Sequence, residues 1–158
     1  MFMDWPLLSL VIWTPIFGGM LVLATGNDKN AVEAKVLTLV IALATFLISL
    51  PLYTEFNTQV ASMQFVENIH WMDRFKINYH LGVDGISMPL ILLTSFTTML
   101  VVLAGWEVIT KRVAQYMAAF LIMEGLMIGV FAALDAAVFY VFWEAMLIPM
   151  FIVIGIWG

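Results

Sequence analysis

The chain reads as an all-α, polytopic membrane bundle of about five transmembrane helices with one long surface loop between helices 2 and 3. Three observations carry this. Of its 158 residues 64% are hydrophobic and only 11% charged. Its mean hydropathy of +1.06 belongs to integral membrane proteins rather than to soluble domains. Five apolar stretches, about 7–24, 32–53, 85–106, 113–133 and 135–157, are each long enough to cross a hydrocarbon core of about 30 Å at about 1.5 Å per residue. Together they make one membrane domain over residues 1–158.

The first stretch follows Met1 to Trp5 with no Lys or Arg before it and no small-residue cleavage site after it, so it reads as a retained helix and not a signal peptide. Thr25, Gly26, Asn27 and Asp28 form a turn signal between spans 1 and 2. The long connection from Thr54 to Asp84 contains Phe75, Ile77 and Tyr79 alternating with Lys76, Asn78 and His80. That period of two predicts a short strand or hairpin at the membrane surface. Asp84 is placed to cap the third span, and Pro89 falls in its first turns, where a missing N–H is tolerated. Glu107 to Arg112 is a short polar link, and spans 4 and 5 meet at Leu134 and Asp135 with almost no loop, which predicts an antiparallel helical hairpin.

Lys29, Lys35, Lys111 and Arg112 fall on one side of this arrangement, and Arg74 and Lys76 on the other. The excess places the four-residue side in the cytoplasm and the amino terminus outside it. The six Trp residues mostly mark span ends; Trp13 and Trp143 do not, and are expected in the interior.

Composition excludes several functions. Without Cys there is no disulfide framework, thiolate metal site or redox pair, and His70 and His80 do not form a metal motif. The net charge is −5. With neither a basic cluster nor a Gly-rich phosphate loop, nucleic-acid and nucleotide binding lack support. Bound redox cofactors are not expected on the chain.

The residues that demand a functional reading are acids inside the spans. Glu144 lies nine residues beyond Asp135, about 13 Å into the membrane and close to the midplane. A charge there costs at least about 2.5 kcal/mol, so the default reading is an ion or proton site facing protein or water. Glu144 is therefore expected to be screened from lipid and to point into the bundle toward a cationic or watery partner. Glu124 lies ten residues before Leu134 and Glu144 ten after it, which gives the two acids equal depth across the hairpin. If they face each other, their mutual repulsion favours a shared proton. A neutral, hydrogen-bonded acid between helices is the alternative, and it weighs more for Glu124 than for Glu144. Asp135 is the weakest candidate, since capping explains it. Gly125 and Gly129 are spaced for close helix approach, and Pro149 removes one hydrogen bond and crowds the Ala145 carbonyl.

Two runs carry a resemblance. Tyr79-His80-Leu81-Gly82-Val83-Asp84-Gly85-Ile86-Ser87 and Phe139-Tyr140-Val141-Phe142-Trp143-Glu144-Ala145-Met146-Leu147-Ile148-Pro149-Met150 resemble the antiporter-like subunit M of proton-pumping NADH:quinone oxidoreductase, respiratory complex I, equivalent to mitochondrial subunit 4. The resemblance covers essentially the whole chain and corresponds to the amino-terminal third of that family. It implies that Glu144 is the family's essential fifth-helix glutamate, and that Glu124 coincides with an acidic position of the fourth helix. The lysine partner of Glu144 is then expected on a helix beyond residue 158 or on another chain. The resemblance also implies a translocase subunit without redox catalysis of its own, with NADH, FMN, iron–sulfur clusters and quinone on other subunits. The implied surroundings are the lipid bilayer and other membrane-arm subunits, in the bacterial inner membrane with a periplasmic amino terminus. Two alternatives stay open: a subunit of a multi-subunit sodium/proton antiporter, and a non-transporting scaffold or assembly element.

Overall fold

A computed structural model of the chain describes residues 5–26 and 31–158. Asn27, Asp28 and Lys29, read above as part of the first turn and its charge, lie outside the described residues, as do Met1 to Asp4. Five helices form: α1 (Leu7–Thr25), α2 (Ala31–Thr54), α3 (Ser87–Val108), α4 (Val113–Ala132) and α5 (Ala136–Trp157). Each is long and apolar enough to cross a membrane. Their ends agree with the apolar stretches to within two residues, because hydropathy and the need to satisfy every backbone group in lipid specify the same segments.

Between α2 and α3 the chain forms an antiparallel hairpin of β1 (Gln64–Met72) and β2 (Ile77–Val83), joined by a 3-10 turn over Asp73–Phe75. The register pairs Glu67 with Leu81, Ile69 with Tyr79 and His70 with Asn78. The hairpin only partly lies on the surface. Leu81 and Val83 are fully buried, Leu81 bridges to Ala133, and the Leu134 N–H donates to the His80 carbonyl at 2.9 Å. One end of the bundle is thereby closed over the α4–α5 link.

α4 is the hub, packing against each of the other four helices. Lipid tails are as apolar as Leu, so in a bilayer helices associate through close backbone approach rather than hydrophobic transfer, and α4 is built for that. A Cβ at Gly125 would collide with the Ile12 carbonyl oxygen of α1, and one at Gly129 would lie 2.7 Å from the Phe142 ring of α5. From the α1 side, a Cβ on Gly19 would lie 2.9 Å from the Ala118 carbonyl oxygen. The glycine spacing on α4 thus serves two different neighbours.

The core divides along the membrane normal. One apolar cluster, including Leu8, Ile12, Leu52, Ile91 and Ile128, sits toward the hairpin. A second, including Val22, Ala42, Val102, Met117 and Leu121, sits toward the other end. α5 stays peripheral, with only Val138, Phe142 and Pro149 buried, and its helix runs unbroken through Pro149. Trp13 and Trp143 correct the expectation of interior positions: they are 38% and 45% exposed, off the buried stripe of α1 that includes Leu8, Val11, Ile12 and Gly19 and off the buried positions Val138, Phe142 and Pro149 of α5.

Candidate functional site

Each of the three acids singled out from sequence has a different environment. Glu144 lies on the exposed side of α5, beside a shallow groove lined by Ala145, Leu147, Ile148, Phe151 and Ile152. It follows Phe142, which meets α4, by two residues, or about 200° around the helix. The expected partner of Glu144 belongs to polypeptide beyond residue 158 or to another chain, and among these five helices Glu144 lies on the face of α5 that no described residue covers. α5 spends its one packed face on α4 and the hairpin, and Glu144 is on the other. No hydrogen bond or ion pair engages it among the described residues.

Glu124 has the opposite environment. It is completely buried on α4, and neither carboxylate oxygen has a hydrogen-bond partner. It shares a face with Leu121 and Ile128, three residues before and four after, which belong to the two different apolar clusters. Gly129, which meets α5, is five residues on and about 140° away. The two glutamates do not face each other across the helical hairpin: Glu124 is enclosed in the bundle core, and Glu144 lies on the exposed side of α5.

Asp135 caps α5. One carboxylate oxygen accepts from the backbone N–H groups of Ala137 at 2.8 Å and Val138 at 3.4 Å, and the other from the N–H of Asn78 on β2 at 3.3 Å. These hydrogen bonds, the one from Asn78 foremost, hold its carboxyl below the usual range. Asp84 does the same for α3, accepting from Ser87 at 2.7 Å and Ile86 at 3.0 Å while its own N–H donates to the Ser87 hydroxyl.

Sequence reasoning missed a fourth acid. α1 begins after Pro6, whose side chain provides no cap. Glu67 of β1 supplies the acceptor: the Ser9 N–H donates to it at 3.1 Å and the Ser9 hydroxyl donates to its second oxygen. Tyr79 completes the cluster, its hydroxyl 3.0 Å from Ser9 Oγ and accepting from the Trp13 indole N–H at 3.1 Å. Burial pushes the Tyr79 phenol above its ordinary value, outweighing the opposite pull of Ser9 and Trp13. The only sequence signal was the missing cap at Pro6.

These features define a multi-pass helical membrane protein with a membrane-surface hairpin and two mid-span carboxylates in unlike surroundings. Comparison with known proteins makes the assignment specific. A family model described as NADH-ubiquinone oxidoreductase chain 4, amino terminus, matches residues 31–133, and the chain belongs to that family. It is 42% identical to NADH-ubiquinone oxidoreductase chain 4 of Arabidopsis thaliana, covering 96% of this chain and 30% of the relative. Subunit M of NADH-quinone oxidoreductase from Rhodobacter capsulatus is 45% identical with the same coverage. Among solved structures, a chain of respiratory complex I from Thermus thermophilus with bound NADH superposes with a TM-score of 0.79 at 28% identity, over 96% of this chain and 29% of that one. The chain thus spans about 30% of the length of the curated relatives it matches.

Proposed function

We propose that this chain supplies the amino-terminal helices of a membrane-arm subunit of NADH:quinone oxidoreductase, and that Glu144 is a proton-relay group within it. The observation that supports this most directly is the placement of Glu144. An acid near the midplane, on a helix face that no described residue covers, requires a cationic or hydrated neighbour. A lysine-bearing helix from polypeptide beyond residue 158, or from another chain, would meet that requirement. Redox chemistry would take place on other subunits, which hold NADH, FMN, iron–sulfur clusters and quinone. The side with Lys35, Lys111 and Arg112 faces the cytoplasm, and the amino terminus the periplasm.

On this reading Glu144 alternates between charged and neutral states from its place on α5. Ionised, it attracts the cation across the α5 face; neutral, it releases that attraction, and the cation is free to shift toward its next partner. Glu124 lies in a sealed core on a different face and is not in line with Glu144. Asp135, with both oxygens engaged by backbone N–H groups, holds helix and hairpin together rather than passing protons.

The test uses the complete subunit in its assembled complex. Glu144→Gln keeps size and hydrogen bonding but removes the titratable proton, so assembly on native gels should persist while proton pumping coupled to NADH oxidation falls at least tenfold. Glu144→Asp should retain part of the activity. Full pumping by an assembled Glu144→Gln complex would sink the relay assignment and favour the scaffold.

A further inference from the structure

A polar layer separates the two apolar clusters of the core. Counted from the hairpin end at about 1.5 Å per residue, Glu124 of α4 and Ser95 of α3 each lie about 12 Å deep, Thr45 of α2 about 14 Å and Thr98 of α3 about 16 Å. All four are buried, with at most 5% exposure. Three neighbouring helices therefore bring their polar groups to one level.

The hydrogen bonding of this layer is short of donors. Thr45 donates to the Ile41 carbonyl at 2.9 Å and Thr98 to the Thr94 carbonyl at 3.0 Å, so each hydroxyl hydrogen is spent within its own helix. Ser49 and Ser95 donate to the Phe46 and Leu92 carbonyls, and their oxygens also lie 3.2 Å apart. Two hydrogens cannot serve three contacts. An ionised Glu124 would add two more acceptors and no donor, and both its oxygens lack partners. The charges on the five spans give it no counter-ion at this level: α1 has none, Glu33 and Lys35 open α2, Glu107 closes α3, α4 has only Glu124, and Glu144 faces out of the bundle.

We propose that Glu124, Thr45, Ser95 and Thr98 form a buried water-binding site, in which Glu124 is held as the neutral acid and bound water supplies the donors the layer lacks. A water molecule brings two donors and two acceptors, and buried waters typically make about three hydrogen bonds to otherwise unsatisfied polar groups. The acid proton of Glu124 donates to the water, and the water donates onward to the free lone pairs of the hydroxyls. The site stands apart from Glu144 and does not depend on the relay assignment.

Infrared spectroscopy of the full complex in native membranes, exchanged between H2O and D2O, tests this. The expected result is a carboxylic acid C=O band that shifts on exchange and is missing in Glu124→Gln. That band should move to higher frequency in Thr98→Val and Thr45→Val as hydrogen bonding weakens, and return in Thr98→Ser. If Glu124→Gln fails to assemble, Glu124→Asp assigns the band by displacing it. Absence of any acid band assignable to Glu124 would mean that the carboxylate is ionised, and would overturn the proposal. A band insensitive to D2O and to both valine variants would mean a dry, structural acid, with the same consequence. Glu144→Gln should leave the Glu124 band in place whether or not it pumps, which keeps the two assignments separable.

Discussion

Asp84 and Asp135 do the same work at the entrances of α3 and α5. Each exchanges its solvation for backbone N–H groups that the helix itself leaves unpaired. Both carboxyls are held below their ordinary values by those bonds. A depressed folded-state value means that the stabilisation is present above the unfolded value of about 3.9 and is lost as pH falls through the folded one. Stability should therefore decline below about pH 4, and less steeply when both are Asn, which caps without titrating; thermal unfolding across pH checks this. Asp135→Ala should lower the melting temperature by a few degrees, whereas Asp135→Asn should cost little. Glu67→Ala removes the acceptor for both Ser9 donors and should destabilise the α1 entrance by about 1.5–3 kcal/mol. The readout is faster hydrogen exchange at Ser9 and along β1.

Among the elements, α4 is the least tolerant of added bulk. Gly125→Ala places a methyl against the Ile12 backbone carbonyl, which is not a flexible side chain that can swing away, so a loss of about 1–3 kcal/mol is expected in detergent unfolding. The spans themselves were legible in the sequence, since lipid demands about twenty apolar residues and the polar links are short. β2 was legible from the alternation around Ile77 and Tyr79, whereas β1 was not: Gln64–Met72 breaks its period with two register shifts. Facing was the harder reading. With α5 apolar on nearly all sides, nothing in its pattern distinguishes the side that meets α4 from the side bearing Glu144, and Trp143 was misplaced on that account. Gly125 and Gly129 carried usable information because only a close neighbour explains their spacing. The hydroxyl layer escaped notice because Thr45, Ser95 and Thr98 lie on two helices whose relative depth emerges only once both ends are fixed.

For the molecule as a whole, the two ends are chemically distinct. The hairpin, the α1 entrance and the α4–α5 link share one end; Lys35, which donates to the Trp106 carbonyl, and Lys111, whose carbonyl accepts from the Trp157 indole at 2.9 Å, share the other. The chain has no Cys, so single-Cys labelling reads the orientation directly. His70→Cys should react with an impermeant reagent added from the periplasm, and Lys111→Cys only from the cytoplasm; the reverse pattern would invert the topology. The close approach of Gly19 to Ala118 also bears on biogenesis. About 100 residues separate the two, and at roughly 5–20 residues per second the ribosome needs about 5–20 s to deliver α4 after α1 has emerged. Throughout that interval the first span waits in the bilayer without its main partner, and its capping carboxylate on β1 arrives only about halfway through it. Until the fourth span arrives to claim the first, α1 rests chiefly on α2.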